Sequence, residues 1–404
     1  MAQTLLFPKN FLWGSATSAY QVEGANFNND WYCFEKQGKL PHICAKATDS
    51  YNRYEEDFNL AKTLAQNCHR LSFEWSRIEP LKNQFDEKEI AHYKKVILSL
   101  KEKNITPIVT LHHFTNPIWF YQSGGWLNPS SRDYFAQYVE EITKEFSSLV
   151  EYWITINEPV VYCYYAYIQG IWPPQEKSFK KAKIVLKNLI NAHLKAYHII
   201  HKNIKGAKVS IAQNTMRFIA CPLRNFGQNT IPVFLRDRFY NFGVVETLIK
   251  KRALDFIGLN YYGGVFLKFS FKHIFGKDCS SDHHKIRKNS LGWLVMPEGI
   301  FDIIMQLKKF NLPILITENG TSEKDDSFYG KYLKEHLFYI AMAINKGANV
   351  IGYLWWSLLD NFEWDKGFSP KFGLLCLDKD LNRTIKPFAA LYKDICTNNR
   401  IDYA

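Results

Sequence analysis

Residues 152–159 read YWITINEP, a run of large apolar and β-branched side chains that ends abruptly in Asn157, Glu158 and Pro159. Runs this apolar are typical of strands buried on both faces, which occur in parallel sheets. Residues 313–320, PILITENG, repeat the pattern and likewise present a glutamate, Glu318, at the end of the apolar run. The two stretches predict parallel strands whose carboxyl ends carry acidic side chains.

The same pattern recurs along the chain. Helical patterns lie between the apolar runs, and no Pro- or Gly-rich linker divides them. Alternating strands and helices of this kind favour a closed barrel over an open sheet. We therefore predict an α/β protein with a single (β/α)8 TIM barrel as one catalytic domain over residues 1–404. The predicted strands are Phe11–Ala16, Cys68–Phe73, Thr106–His112, Tyr152–Asn157, Lys208–Gln213, Leu254–Asn260, Pro313–Thr317 and Asn349–Trp355; the clearer helices are Asp49–Gln66, Asp86–Lys103, Ser131–Val150, Ser178–Lys202 and Gly330–Lys346.

Two segments do not follow the alternation. The segment Ile219–Arg252 has no clear pattern. The segment Val265–Leu294 is irregular and rich in Lys, His and Ser, and we interpret it as a long excursion over the top of the barrel. Loops of that length are often functional.

Composition excludes several classes of protein. The formal net charge is +12, but the Lys and Arg residues are spread along the whole chain, so no nucleic-acid partner is expected. No run of eighteen apolar residues and no signal-peptide pattern is present, which predicts neither a membrane span nor secretion. The eight Cys form no CxxC pair, which gives a zinc site no support. Their even number allows disulfides, but several lie inside apolar segments, where free thiols pack well. We expect a cytoplasmic protein with reduced cysteines and no membrane partner.

The active site of such a barrel lies at the carboxyl ends of its strands. Two of the predicted strand ends carry a carboxylate, Glu158 and Glu318. Paired carboxylates across a sugar-sized opening are what glycoside hydrolysis requires, one protonated to donate to the leaving oxygen and one ionised to attack. The alternative is that each merely pairs with a nearby Lys or Arg.

Other predicted strand ends are also polar or aromatic. Arg70 could hold one carboxylate ionised or only balance charge, and Tyr262 could bind a carboxylate or pack. The pair His112-His113 lacks a further acidic ligand, so a metal site is not favoured. Trp356 suits the apolar face of a sugar ring, whereas Trp355 fits the core equally well.

With these motifs in place, the chain resembles glycoside hydrolase family 1, the β-glucosidase family, almost from end to end. The resemblance rests on FLWGSATSAYQVEG at 11–24, Arg70 followed by SFEWSRIEP at 72–80, TLHHF at 110–114, TINEP at 155–159, DFIGLNYY at 255–262, ITENG at 316–320 and GYLWWSLLDNFEW at 352–364. Their order is the family's order. The resemblance implies a retaining O-glycoside hydrolase that acts on terminal non-reducing β-D-glucosyl residues through a covalent glycosyl-enzyme intermediate, with β-galactosyl and β-fucosyl residues as further candidate substrates.

The family's residue roles carry over by position. The resemblance implies that Glu158 is the acid/base and Glu318 the nucleophile, with Tyr262 and Arg70 orienting Glu318 and Asn260 behind them. It further implies a set of sugar contacts: Asn157 at the 2-hydroxyl, Gln21 and His113 at the 3- and 4-hydroxyls, Glu363 and Trp364 at the 4- and 6-hydroxyls, and Trp356 beneath the ring. No cofactor and no metal is expected. The partner is a small-molecule β-glycoside or oligosaccharide.

Three positions are compared with the family's pattern. Phe114 stands where HHW is usual, which removes an indole N–H that would bind the sugar's 3-hydroxyl. The chain is short between Leu223 and Asp255, which leaves the leaving-group preference open. Phe372 stands where many relatives carry an aromatic residue near the 6-hydroxyl, which is no departure.

Three other functions are compatible with the same barrel. A 6-phospho-β-glycosidase would carry Ser in place of Glu363, followed shortly by a Lys and a Tyr, whereas positions 370 and 372 here are Pro and Phe. A catalytically silent sugar-binding barrel usually lacks one carboxylate, and both are present here. A transglycosylating relative would use the same residues. The natural leaving group and the oligomeric state stay open.

Overall fold

The computed structural model describes residues 3–222, 227–273, 275–279 and 286–403, and its centre is a closed barrel of parallel strands. The strands are, in chain order, β1 (Gln3–Leu6), β2 (Leu12–Ala16), β3 (Cys68–Ser72), β4 (Thr106–His112), β5 (Tyr152–Asn157), β6 (Lys208–Ala220), β7 (Ile257–Lys268), β8 (Lys277–Asp278), β9 (Ile314–Asn319), β10 (Val350–Trp356), β11 (Leu375–Leu377), β12 (Arg383–Ile385) and β13 (Arg400–Tyr403).

The barrel strands are β2, β3, β4, β5, β6, β7, β9 and β10, paired in that order, and β10 pairs with β2 to close the ring. Every pairing within the ring is parallel, as in the register Ala212↔Gly258 between β6 and β7. The predicted (β/α)8 TIM barrel is therefore confirmed. The short strands β1 and β13 pair antiparallel and bring the two ends of the chain together.

Helices surround the barrel, and several of them begin at a residue whose side chain caps the first turn. The Asp86 side chain, for example, accepts hydrogen bonds from the backbone N–H groups of Lys88 and Glu89 at the start of its helix. The helices are α1 (Ala19–Val22), α2 (Asp30–Lys36), α3 (Ser50–Thr63), α4 (Trp75–Ile78), α5 (Glu87–Glu102), α6 (Ile118–Gln122), α7 (Ser131–Phe146), α8 (Pro159–Cys163), α9 (Phe179–Asn203), α10 (Thr230–Arg236), α11 (Gly243–Lys250), α12 (Pro297–Leu307), α13 (Asp326–Asn345) and α14 (Ala389–Asn398). Among the residues described, none of these helices has the length and apolar character needed to cross a membrane.

The interior of the barrel is closed by a small apolar cluster separate from the main core between barrel and helices. This cluster fills the lower part of the barrel, so the polar residues at the carboxyl ends of the strands lie above tightly packed apolar side chains. The members of this cluster are Cys68, Ile108, Ile154, Ala212, Phe256, Leu315 and Leu354.

Strands β6 and β7 continue well past the predicted ends. Their outer halves pair with each other from Arg217↔Gly264 to Ala220↔Leu267, above the rim of the barrel. The predicted excursion Val265–Leu294 therefore begins as strand, and part of it lies outside the described residues. The predicted shortening between Leu223 and Asp255 likewise begins outside them, and its remainder contains α10 and α11.

The cysteines differ from the sequence expectation. Cys221, just after β6, and Cys279, just after β8, form a disulfide. The prediction that all eight cysteines are reduced is therefore wrong for this pair, which the sequence could not identify because 58 residues separate its members. The other six are free thiols.

Candidate active site

The two predicted catalytic carboxylates, Glu158 and Glu318, lie at the carboxyl ends of β5 and β9. Glu158 follows the last residue of β5 in a left-handed backbone conformation (φ 43°), and Pro159 begins α8 directly after it. This tight turn fixes the Glu158 side chain between a strand and a helix. Glu158 and Glu318 are only 6% and 4% exposed, so both carboxyl groups are nearly withdrawn from solvent.

The Glu158 carboxyl group is held by neutral hydrogen-bond donors. The side-chain amides of Asn214 and Asn260 both donate to its Oε1 atom, each at 2.8 Å. Burial raises the pKa of Glu158 to about 8, and the nearby Glu318 carboxylate contributes in the same direction. Glu158 therefore carries its proton at neutral pH, as a general acid must.

The Glu318 carboxyl group has a cation as its partner. Arg70 Nη1 lies 2.6 Å from Glu318 Oε1, and the Tyr262 hydroxyl donates to Oε2 at 2.6 Å. Burial raises the pKa of Glu318, and the charge of Arg70 and the hydrogen bond from Tyr262 act against that rise. Of the two carboxyl groups, Glu318 is the one that the surrounding residues prepare for the ionised state.

Arg70 also organises the floor of the site. Its Nη2 atom donates to Asn157 Oδ1 at 2.7 Å and its Nε to Thr110 Oγ1 at 2.9 Å, and the side chain is completely buried. Because Asn157 Oδ1 is occupied, its Nδ2 group lies against His113 Nε2 at 3.2 Å. One buried guanidinium thus links residues from three strands of the barrel.

His113 presents an unused hydrogen-bond donor. Burial and the charge of Arg70 hold the pKa of His113 well below its usual range, so the ring is neutral. Its Nε2 atom accepts from Asn157, which places the proton on Nδ1. Among the described residues, the buried Nδ1 atom of His113 has no partner. A bound ligand would satisfy it.

A second polar group joins Gln21 to Glu363. Gln21 Nε2 donates to the Phe362 carbonyl at 2.7 Å and lies 3.2 Å from Glu363 Oε2, while Ser18 donates to Gln21 Oε1 at 2.7 Å. Burial raises the pKa of Glu363 to about 8, with the charges of Glu318 and Asp365 as further causes. Gln21 and Glu363, two of the predicted sugar contacts, are therefore hydrogen-bonded to each other.

Aromatic rings form the walls of the site. The Trp356 ring lies nearly parallel to that of His113, with centroids 5.9 Å apart, and the Trp364 ring is also nearly parallel to it at 6.1 Å. Phe372 is buried in one cluster with Trp356, and its ring lies 6.2 Å from that of Tyr262. By contrast Trp355 is completely buried and donates to the Phe372 carbonyl, so the core assignment is correct for Trp355.

Phe114 packs in a cage of larger rings. Its centroid lies 4.9 Å from that of Trp172 and 5.2 Å from that of Trp364. The indole N–H of Trp172 donates to Asp365 Oδ1 at 2.8 Å. Trp172 was not anticipated from the sequence, and it fills the space beside the smaller ring of Phe114.

Two further polar residues of the site were missed. Asn214 lies one residue beyond the predicted end of its strand at Gln213, so the search for polar strand ends stopped just short of it. Tyr240, whose hydroxyl donates to Asn214 Oδ1 at 3.0 Å, comes from the segment without a clear pattern, where no sequence signal pointed to the site. Within the described part of the chain, no three or more His, Cys, Asp or Glu side chains are grouped as metal ligands.

The chain as a whole is similar to known proteins. Residues 3–231 and 235–401 match Glycosyl hydrolase family 1. "Beta-glucosidase A" of Acetivibrio thermocellus is 32% identical over 98% of this chain and 99% of its own length. Among solved structures, a β-glycosidase from Pyrococcus horikoshii superposes with a TM-score of 0.92 at 34% identity, covering 99% of this chain and 96% of that one. A β-glucosidase from Thermotoga maritima in complex with glucoimidazole superposes with a TM-score of 0.91 at 30% identity, covering 98% and 99%.

Proposed function

The chain belongs to glycosyl hydrolase family 1 and is a glycoside hydrolase, and from this premise we propose a retaining β-glycosidase that removes terminal non-reducing β-D-glucosyl residues. β-Galactosyl and β-fucosyl residues are further candidate substrates. The observation that carries the proposal is the contrast between two equally buried carboxyl groups. Glu158 is surrounded by amides and keeps its proton, whereas Glu318 is paired with Arg70.

In the first step Glu318 is the nucleophile. Its carboxylate forms a bond to the anomeric carbon while the bond to the glycosidic oxygen breaks, and Glu158 gives its proton to that oxygen. In the second step the Glu158 carboxylate takes a proton from water, the water oxygen bonds to the anomeric carbon, and the ester to Glu318 breaks. Two inversions at one carbon return the original β configuration.

The remaining site residues position the sugar in this proposal. Arg70 and Tyr262 orient Glu318, and Asn260 orients Glu158. Phe114 and Phe372 support the rings that contact the sugar. The proposed sugar contacts are Asn157 at the 2-hydroxyl, Gln21 and His113 at the 3- and 4-hydroxyls, Glu363 and Trp364 at the 4- and 6-hydroxyls, and Trp356 beneath the ring.

Rescue of two variants by small anions tests the roles. Glu318→Ala should abolish hydrolysis of an aryl β-glucoside, and azide or formate should restore part of it with an inverted product, because the anion occupies the place of the nucleophile. Glu158→Ala should retain activity on glucosides with good leaving groups, and azide should then yield a β-glucosyl azide. Observing the two rescue patterns exchanged between the variants would overturn the assignment.

The compartment and the extent of the domain stay predictions from the sequence. One barrel domain over residues 1–404 is our proposal, with a small-molecule β-glycoside as its partner. We also propose a cytoplasmic location. The disulfide Cys221–Cys279 favours an oxidising compartment instead, because stable disulfides are uncommon in reducing compartments. The number of free thiols in the protein, taken from its native cells and alkylated at lysis, would distinguish the two compartments. Six free thiols favour an oxidising compartment, and eight favour the cytoplasm.

A further inference from the structure

The segment between β6 and β7 contributes the Tyr240 side chain to the active site. After α10 the chain makes a π-helical turn, Asp237–Asn241, before α11 begins. From this turn the Tyr240 hydroxyl donates to Asn214 Oδ1 at 3.0 Å. Asn214 in turn donates through Nδ2 to Glu158 Oε1 at 2.8 Å. Three residues thus form a chain of hydrogen bonds that ends on the carboxyl group assigned above as the acid.

The Tyr240 hydroxyl decides which way the Asn214 amide points. An amide has one acceptor end and one donor end, so a donor at Oδ1 forces the NH₂ group to the opposite side, towards Glu158. The reversed amide would place its own oxygen against Glu158 Oε1, which is an acceptor because Asn260 donates to it. Burial raises the pKa of Tyr240 well above its usual range, as does the charge of Glu158, so the phenol stays protonated and remains a donor.

Tyr240 is itself fixed to the barrel by its backbone and its neighbour. Gln213 Nε2 donates to the Tyr240 carbonyl at 2.8 Å. The completely buried Asn241 side chain accepts from the Met216 N–H at 2.9 Å and donates to the Met216 carbonyl at 2.8 Å. The turn is therefore attached to β6 at Tyr240 itself and at the next residue, Asn241, which keeps the phenol in place.

The two amides on Glu158 leave one oxygen for the substrate. Asn214 and Asn260 both donate to Oε1, and among the described residues no hydrogen bond is formed to Oε2. With Oε1 engaged as an acceptor, the proton of the acid resides on Oε2. Two converging donors therefore set both the orientation of the carboxyl group and the oxygen that carries its proton.

We propose that Tyr240 is a positioning residue, which orients the Asn214 amide as a donor to Glu158 and so controls proton transfer to the leaving group. The inference rests on the proposed role of Glu158 as the acid/base. This role gives a function to the turn Asp237–Asn241. The turn lies in the segment to which the sequence analysis assigned no pattern.

The other charged and titratable groups around Glu158 come from several elements. None of them is changed when the Tyr240 hydroxyl is removed, so a shift in the titration of Glu158 would report the hydrogen-bond chain itself. They are Arg70 on β3, Glu318 on β9, Tyr262 on β7, Tyr165 after α8 and Glu363 after β10.

Tyr240→Phe and Asn214→Ala test the inference through the pH dependence of kcat/KM. The hydrogen bond from Asn214 favours the ionised form of Glu158, so its loss should raise the pKa of Glu158 and move the alkaline limb to higher pH by about half a unit to one unit. Turnover should fall roughly tenfold for glucosides with poor leaving groups and less for activated ones, since only the former depend on a well-placed proton. The double variant should shift no further than Asn214→Ala alone.

Two controls separate the possible failures. Tyr197→Phe removes a comparable donated hydrogen bond, to Asp255 on the outside of the barrel, and should leave the alkaline limb unchanged. Glu158→Gln should abolish that limb, and if it does not, the assigned acid is wrong. If Glu158→Gln abolishes the limb but Tyr240→Phe leaves it unmoved, or if the shifts of Tyr240→Phe and Asn214→Ala add, the positioning role of Tyr240 is refuted.

Discussion

Replacing Arg70 with methionine should change the acidic side of the pH profile. Arg70 is completely buried and donates to Glu318 at 2.6 Å, so in the proposed mechanism it holds the nucleophile ionised. Methionine approximates the aliphatic part of the side chain and removes the charge. The Glu318 carboxylate would then keep Tyr262 as a partner but have no cation in contact with it.

The size and direction of the effect follow from the lost contact. A hydrogen bond to a charged group contributes about 1.5–3 kcal/mol, and one pKa unit corresponds to about 1.4 kcal/mol. Loss of Arg70 should therefore raise the pKa of Glu318 by about one to two units. The acidic limb, which reports ionisation of Glu318, should move to higher pH by that amount. The pKa of Glu158 should rise less, because Arg70 acts on it only at a distance. The pH range of activity therefore narrows from the acidic side.

The assay is kcat/KM for an aryl β-glucoside as a function of pH, with circular dichroism to verify that the variant is folded. Arg70→Lys is the matched control, since it keeps a cation beside Glu318 but cannot at the same time reach Asn157 as the guanidinium does. It should lower kcat with a smaller shift of the acidic limb. A folded Arg70→Met variant whose acidic limb coincides with that of the wild type would refute the proposed role of Arg70.

Two further predictions concern substrate choice and stability. Neutral glucosides should be hydrolysed in preference to their 6-phosphates. Because the pKa of Glu363 is about 8, Glu363 becomes anionic as the pH rises through that value, and the preference should then grow. A ratio of kcat/KM for the glucoside to kcat/KM for its 6-phosphate that does not change with pH would contradict this prediction. Arg383→Met should lower the free energy of unfolding, measured by urea titration, by about 3–5 kcal/mol, because it leaves the buried Asp57 carboxyl without its cation. The control Lys144→Met, at a surface ion pair with Glu141, should change that free energy by less than about 1 kcal/mol. Equal effects of the two substitutions would contradict the reasoning.

The barrel was predictable because burial on both faces leaves a direct mark on the sequence. Apolar runs such as YWITI located β5 to the residue, and the strand order followed from the alternation with helices. The outer halves of β6 and β7 were not predictable in the same way. They pair with each other above the rim, and the outer residues of β6 are only partly buried there, so they do not form a continuous apolar run.

The site was predictable as far as it lies on strand ends. Glu158, Glu318 and Arg70 belong to the regular frame of the barrel, so their position in the sequence fixes their place in the site. Tyr240 reaches Asn214 from a turn that belongs to no strand, and its contact depends on how that segment folds back over β6. Such contacts are set by tertiary packing and leave no periodic signal.

Glu158 and Glu318 are buried to the same degree, so the difference between their roles comes from their partners. In the free enzyme the charge of Arg70 is balanced by Glu318, whereas Glu158 has only neutral amides as partners, and burial keeps it protonated. When Glu318 becomes an ester in the proposed mechanism, its negative charge disappears and Arg70 is left without a counter-ion. The repulsion that raised the pKa of Glu158 is then gone, and the unbalanced cation lowers that pKa further. The same arginine therefore supports the nucleophile in the first step and the conversion of Glu158 from acid to base in the second.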